Sequence, residues 1–121
     1  MKNYVLGFMF NRNKSKVLLI NKNRPDYQKG KLNGIGGKIE KIDIEEGYNV
    51  YENSKEAMVR EFREECGINT TEKDWEKICE LKGDYYIIDI FRSFGEITKA
   101  KTLTDEKVGI YKIDKLPNNI M

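Results

Sequence analysis

The sequence predicts an α+β domain, mostly strands with one firm helix, and three observations carry that prediction. Short apolar blocks recur between turn residues along most of the chain. One segment, 53–66, carries a full set of helix start and stop signals. The length of 121 residues suits one core, since a domain typically runs to roughly 100–150 residues. Residues 1–121 are therefore expected to form a single domain.

Taken in order, residues 4–10 read as a buried strand and 16–20 as a second, with Asn11-Arg12-Asn13-Lys14-Ser15 making the hairpin turn between them. Residues 21–31 are polar, contain Pro25 and Gly30, and read as a loop. Residues 32–39 hold Gly34, Gly36 and Gly37, which predicts a short irregular strand where backbone approaches something closely. Residues 41–51 show no clear period and are expected to be an exposed loop. The helix over 53–66 starts at Asn53, which can cap it; Glu56, three residues on, completes a capping box, and Gly67 supplies the left-handed stop. Beyond it, 78–81 and 85–94 read as strands joined at Gly83-Asp84, and 108–113 as another. Residues 115–117 turn the chain away, where a closing helix is expected.

Composition excludes several chemistries. There is no histidine, so imidazole bases, triads and histidine-bound metals are ruled out. Two cysteines, Cys66 and Cys79, make neither a disulfide framework nor a C-x-x-C pair, and both are read as buried thiols. Trp75 is read as packing. The longest apolar run, 85–88, is far below the ~18 residues of a membrane span, and the first ten residues lack a cleavage site. Catalysis here must run on carboxylates, lysines, tyrosines or a hard metal.

The net charge of +2 is unevenly spread. Residues 12–31 hold seven Lys/Arg and one acid, whereas residues 37–65 hold nine acids and five bases. Such neighbours suit a phosphate anion beside a metal cation, or simply two solvated surfaces. On a helical wheel with Glu61 at zero, Glu64 falls at about 300° and Glu65 at about 40°, one stripe along the edge of the buried face. Met58, Val59, Phe62 and Cys66 fall at about 60–160°, facing the core, and Glu56, Arg60 and Arg63 at roughly 200–260°, facing away. Three like charges repel, and i,i+4 carboxylates destabilise a helix by a few tenths of a kcal/mol. A divalent cation gives a reason to place them together; a plain surface helix is the alternative.

The string Arg60-Glu61-Phe62-Arg63-Glu64-Glu65-Cys66-Gly67-Ile68, with seven residues between Glu52 and Arg60, fits E-x7-R-E-U-x-E-E-x-G-U, where U is bulky and apolar. It resembles the signature of the Nudix hydrolases, G-x5-E-x7-R-E-U-x-E-E-x-G-U. Coincidence of the five fixed identities is on the order of one in a million windows. The order strand, hairpin, strand, basic loop, Gly-Gly-Lys-Ile-Glu, helix is similar too. One departure stands out: fourteen residues, 38–51, separate Gly37 from Glu52 where the family has five. This reads as a nine-residue insertion, which loops absorb at small entropic cost.

The resemblance implies an α/β/α sandwich with a mixed sheet, and hydrolysis of a nucleoside diphosphate linked to another group. A (deoxy)nucleoside triphosphate, including oxidised forms, is the first-choice substrate; an ADP-sugar or dinucleotide, or a non-catalytic nucleotide or ADP-ribose sensor, are the alternatives. It implies Mg²⁺ or Mn²⁺ held by Glu64 and Glu65, with Glu61 as a further ligand or proton acceptor, the Gly36 carbonyl, and Glu106 from a later loop. Asp105 is the neighbour confusable with Glu106. Gly37, Glu52, Arg60 and Gly67 would be structural, with Arg60 pairing Glu52 and pointing away from the metal. Lys22 and Arg24 would touch phosphates, or be ordinary loop cations; Tyr27 and Phe8 would flank a base, or pack. A cytoplasmic monomer or homodimer is expected, with a nucleotide as small-molecule partner. Neither a membrane nor a stable nucleic-acid complex is expected; the basic 12–31 stretch lacks interleaved aromatics.

Overall fold

The computed structural model describes residues 2–45, 48–51 and 53–120, with backbone alone for 41–45 and 48–51. Strands β1 (Lys2–Phe10) and β2 (Lys16–Asn21) form the first hairpin, in register at Phe10↔Val17. Its turn is locked by Asn11, whose Oδ1 accepts from the backbone N–H of Ser15 and of Lys16, both at 2.9 Å. The glycine-rich segment splits into β3 (Leu32–Asn33) on β2 and β4 (Ile35–Lys38) on β1. A Cβ at Gly36 would collide with the Val5 carbonyl, so only glycine lets β4 lie this close to β1.

The stretch expected to be a loop, 41–51, is instead a second hairpin, β5 (Lys41–Glu45) antiparallel to β6 (Tyr48–Tyr51). It forms a two-stranded sheet of its own, with an irregularity between Asp43 and Glu45. Ile42 and Ile44, then Tyr48, Val50 and Tyr51, are strand formers flanking Gly47. Their alternation is too short to register as a period. The described residues of the expected loop insertion thus form paired strands.

Helix α1 (Ser54–Cys66) begins and ends as its sequence dictates. Asn53 Oδ1 accepts from Glu56 N–H at 2.9 Å, and Glu56 Oε1 accepts from Asn53 N–H at 3.2 Å. Gly67, at φ 78°, takes the left-handed stop and donates to the Arg63 carbonyl at 2.9 Å. Strands β7 (Glu76–Lys82), β8 (Tyr86–Phe94) and β9 (Val108–Lys112) complete a seven-stranded mixed sheet. Its order is β3-β2-β1-β8-β7, with β9 also on β2 and β4 also on β1. β8 runs parallel to β1 from Lys2↔Tyr86 to Phe10↔Phe94, and the other pairings are antiparallel. After β9 the chain comes back along β3, where Leu32 N–H donates to the Asn119 carbonyl at 2.9 Å.

The main core lies between α1 and one sheet face: Met58, Phe62 and Cys66 meet Val5, Ile35, Trp75 and Phe91, all essentially inaccessible. Burying each large apolar side chain contributes about 1.5–3 kcal/mol. Trp75 packs edge-on to Phe62, ring centroids 5.0 Å apart, and donates Nε1–H to Thr70 Oγ1 at 2.8 Å. It is a packing residue, as expected. A smaller cluster of Val17, Leu19 and Leu32, with Phe8, Phe10, Tyr111 and Ile120 against it, lies apart from this core. Phe8 is therefore packed against this cluster. No helix among the described residues is long and apolar enough to cross a membrane.

The two cysteines part company. Cys66 is buried, donates Sγ–H to the Phe62 carbonyl at 3.1 Å, and burial pushes its pKa up to about 11, so it is an inert thiol. Cys79, expected to be buried, is exposed. β7 is an edge strand with every residue exposed, and the flanking Ile78 and Leu81 gave a false signal of burial.

Candidate functional site

α1 presents Glu61, Glu64 and Glu65 along one edge of its buried face, as the wheel predicts. Glu61 is the most enclosed, its side chain 12% exposed against 53% for Glu64. Gly37 of β4 makes room for it: a Cβ there would stand 2.5 Å from the Glu61 carboxylate. Glu65 is half-buried, and its Oε2 is shut from solvent without a hydrogen-bond partner. An unpaired buried acceptor costs about 1–3 kcal/mol, more if charged.

Burial raises the pKa of Glu61, the Arg60 hydrogen bond and charge opposing it and Glu64 and Glu40 adding to it. Burial, then the charge of Glu61, pushes Glu65 up to about 7, with Lys22 opposing and Glu106 and Glu64 reinforcing. These effects place Lys22 and Glu106 in the electrostatic neighbourhood of Glu65, although they come from loops distant in sequence.

Arg60 departs from its expected place. It turns back over the stripe, donating Nη1–H to Glu61 Oε1 at 2.9 Å and to Glu64 Oε2 at 3.1 Å. Nη2–H goes to the Lys38 carbonyl at 3.0 Å, and Glu40 Oε1 lies 3.6 Å from Nη1. The wheel locates a Cα, and the long guanidinium fork reaches well beyond it. Through Lys38, Arg60 also ties the helix to β4. Its expected partner Glu52 lies outside the described residues.

Of the two later-loop acids, Glu106 is the one turned inward. It is 5% exposed, with Oε1 3.1 Å from Lys22 Nζ and Oε2 accepting from Asn23 N–H at 2.6 Å and Arg24 N–H at 3.3 Å. Burial works to raise its pKa, but these hydrogen bonds and the Lys22 charge outweigh it and hold the carboxyl below its ordinary value. Asp105 faces outward and pairs with Arg24 Nη2 at 2.9 Å and Asn23 Nδ2 at 3.1 Å. Residues 22–24 and 105–106 are thus clamped together. Lys22 and Arg24 are both engaged with carboxylates, and Arg24 is largely exposed. Tyr27, proposed to stack on a base, is 72% exposed on the turn Asp26–Gln28.

Among the described residues no three acidic side chains converge as a preformed metal cage. Arg60 engages Glu61 and Glu64, while Lys22 engages Glu106 and Glu65 lies electrostatically between. Sequence reasoning missed the Arg60 bridge and the Asn23 contacts; no local signal marks either. The Lys22–Glu106 pair joins two residues named separately.

No protein-family model matches the chain. No curated protein matches it either. Solved structures do. The MutT Nudix hydrolase from Burkholderia pseudomallei superposes with a TM-score of 0.77 at 18% identity, over 99% of this chain and 89% of that one. A MutT structure from work on Aliivibrio salmonicida and Vibrio cholerae gives 0.72 at 24% identity, over 96% and 87%. The Nudix domain of Shewanella oneidensis NrtR, complexed with ADP ribose, gives 0.69 at 14% identity, over 93% and 73%. The chain has the Nudix fold.

Proposed function

We propose that this chain is a Nudix pyrophosphohydrolase, cleaving a nucleoside diphosphate linked to another group with Mg²⁺ or Mn²⁺. A (deoxy)nucleoside triphosphate, including oxidised forms, is the proposed substrate, giving a monophosphate and pyrophosphate. The observation that carries the reading is the buried, unpartnered Glu65 Oε2 beside Glu61, within the signature helix of this fold. An oxygen-only donor set with an acceptor left unpaired fits a hard divalent cation.

Glu61, Glu64 and Glu65 would hold the ion, with the Gly36 carbonyl and Glu106 as further donors. Bound there, the ion supplies charge neutralisation at the phosphate and a lowered pKa for water. Glu61, enclosed against Gly37, would serve as a further ligand or as the proton acceptor for the attacking water. Water adds to phosphorus, the anhydride P–O bond breaks, and the leaving phosphate takes the electron pair. Lys22 and Arg24, in the loop clamped to Glu106, offer cationic charge to the phosphates. Arg60 holds one oxygen each of Glu61 and Glu64, so an ion there would compete with its guanidinium for those oxygens.

The ADP ribose held by the NrtR domain favours a second reading, an ADP-sugar or dinucleotide as substrate or as sensed ligand. A screen of nucleotides with Mg²⁺, products separated by chromatography, decides between them. Monophosphate plus pyrophosphate supports the triphosphate reading, two monophosphates a diphosphate-linked sugar or dinucleotide, and binding without turnover a sensor. Turnover undiminished in EDTA would remove the metal from the account.

A further inference from the structure

We propose that the basic hollow at the far end of β2 and β9 is a binding site for an oligophosphate anion, separate from the carboxylate site. The hollow has a volume of about 590 Å³ and lies between the 11–15 turn and the end of β9, with Lys14, Lys16 and Lys112 among its lining residues. Lys16 and Lys22 lie at opposite ends of β2, whose six residues span ~20 Å when extended. The two cationic regions are therefore distinct.

Strand register sets Lys16 directly opposite Lys112. Like charges so placed repel across a sheet, and the fold gains nothing from them. Lys14, Lys16 and Lys112 have no carboxylate partner among the described residues; Lys14 instead lies 5.4 Å from the Phe94 ring centroid. Asp114 is the one carboxylate lining the hollow, so positive charge remains in excess.

The hollow is organised before any ligand arrives. Asn11 and Asn13 pin the turn through Ser15 and Lys16, and Lys14 sits at φ 63°, in the left-handed region. The backbone of the turn is thus fixed, and the lysine side chains are what binding must order. Lysine ammonium groups are point charges suited to phosphate oxygens. No aromatic ring lines the hollow for a base to stack on, which favours a phosphate chain over a nucleobase.

The test is calorimetric titration of the full chain with tripolyphosphate, at low salt in EDTA. One saturable site is expected, weakened about tenfold in Lys16→Gln/Lys112→Gln, roughly the loss of two exposed charge contacts, and unchanged in Lys22→Gln. Urea unfolding should show the double variant at least as stable as the parent, since a repulsion is removed. Undiminished binding by that variant would overturn the proposal, as would loss of binding in Lys22→Gln alone. A single-stranded oligonucleotide that binds the hollow more tightly than tripolyphosphate, with a steep salt dependence, would make it a nucleic-acid surface and overturn it too.

Discussion

The two halves of α1 obey different rules. In the first turn, Asn53 and Glu56 satisfy each other's backbone donors, the helix starts where they dictate, and both groups are exposed. In the last two turns, Glu61, Glu64 and Glu65 crowd along a buried edge, two with raised pKa values and one with an oxygen that nothing satisfies. Arg60 relieves Glu61 and Glu64, but not Glu65 Oε2. The first half serves folding. In the second, the carboxylate stripe works against folding, which is the feature the proposed cation site would explain.

The sharpest way to break this contrast is Glu65→Gln, which keeps shape and removes charge. Turnover with saturating Mg²⁺ should fall more than a hundredfold, about 3 kcal/mol of transition-state stabilisation. Activity equal to the parent's would dissolve the distinction between the halves.

The next effect is on stability against pH. Glu65 titrates near 7 in the folded chain, against ~4.3 when unfolded. Between those values the folded state holds the proton more tightly, so this carboxyl's contribution is full below ~4.3 and is lost as pH rises through about 7. The parent should lose on the order of 2 kcal/mol relative to Glu65→Gln over that window in metal-free urea unfolding, allowing for partial solvent screening. Parallel stability profiles for the two proteins would show Glu65 to be an ordinary surface acid.

Smaller still is the cap. Asn53→Ala should cost ~1 kcal/mol in urea unfolding and leave kcat unchanged. Glu56→Gln should cost at most a few tenths of a kcal/mol and likewise keep full turnover. A large activity loss in either would mean that the N-terminal half also serves the site.

What was legible in the sequence follows the same division. The capped helix, its Gly67 stop, the first hairpin and the β7–β8 pair were readable because their causes lie within a few residues. Glu61, Glu64 and Glu65 were readable as a stripe because helical geometry is fixed by spacing. Which of Asp105 and Glu106 turns inward depends on docking against residues 22–24, over eighty positions away, and no local pattern records it. The exposure of Cys79 depends on β7 lying at a sheet edge, again a matter of topology. The β5–β6 hairpin was missed for a different reason: its two strands are five and four residues long, too brief for alternation to stand out.

The central claim is that the C-terminal half of α1 is a divalent-cation site, and thermal unfolding with and without Mg²⁺ tests it without any substrate. An ion that binds only the folded chain must raise Tm as its concentration rises. Tm should rise for the parent and for Glu56→Gln, and stay flat for Glu65→Gln. The same Mg²⁺-induced shift in all three proteins, or none in the parent, would contradict it.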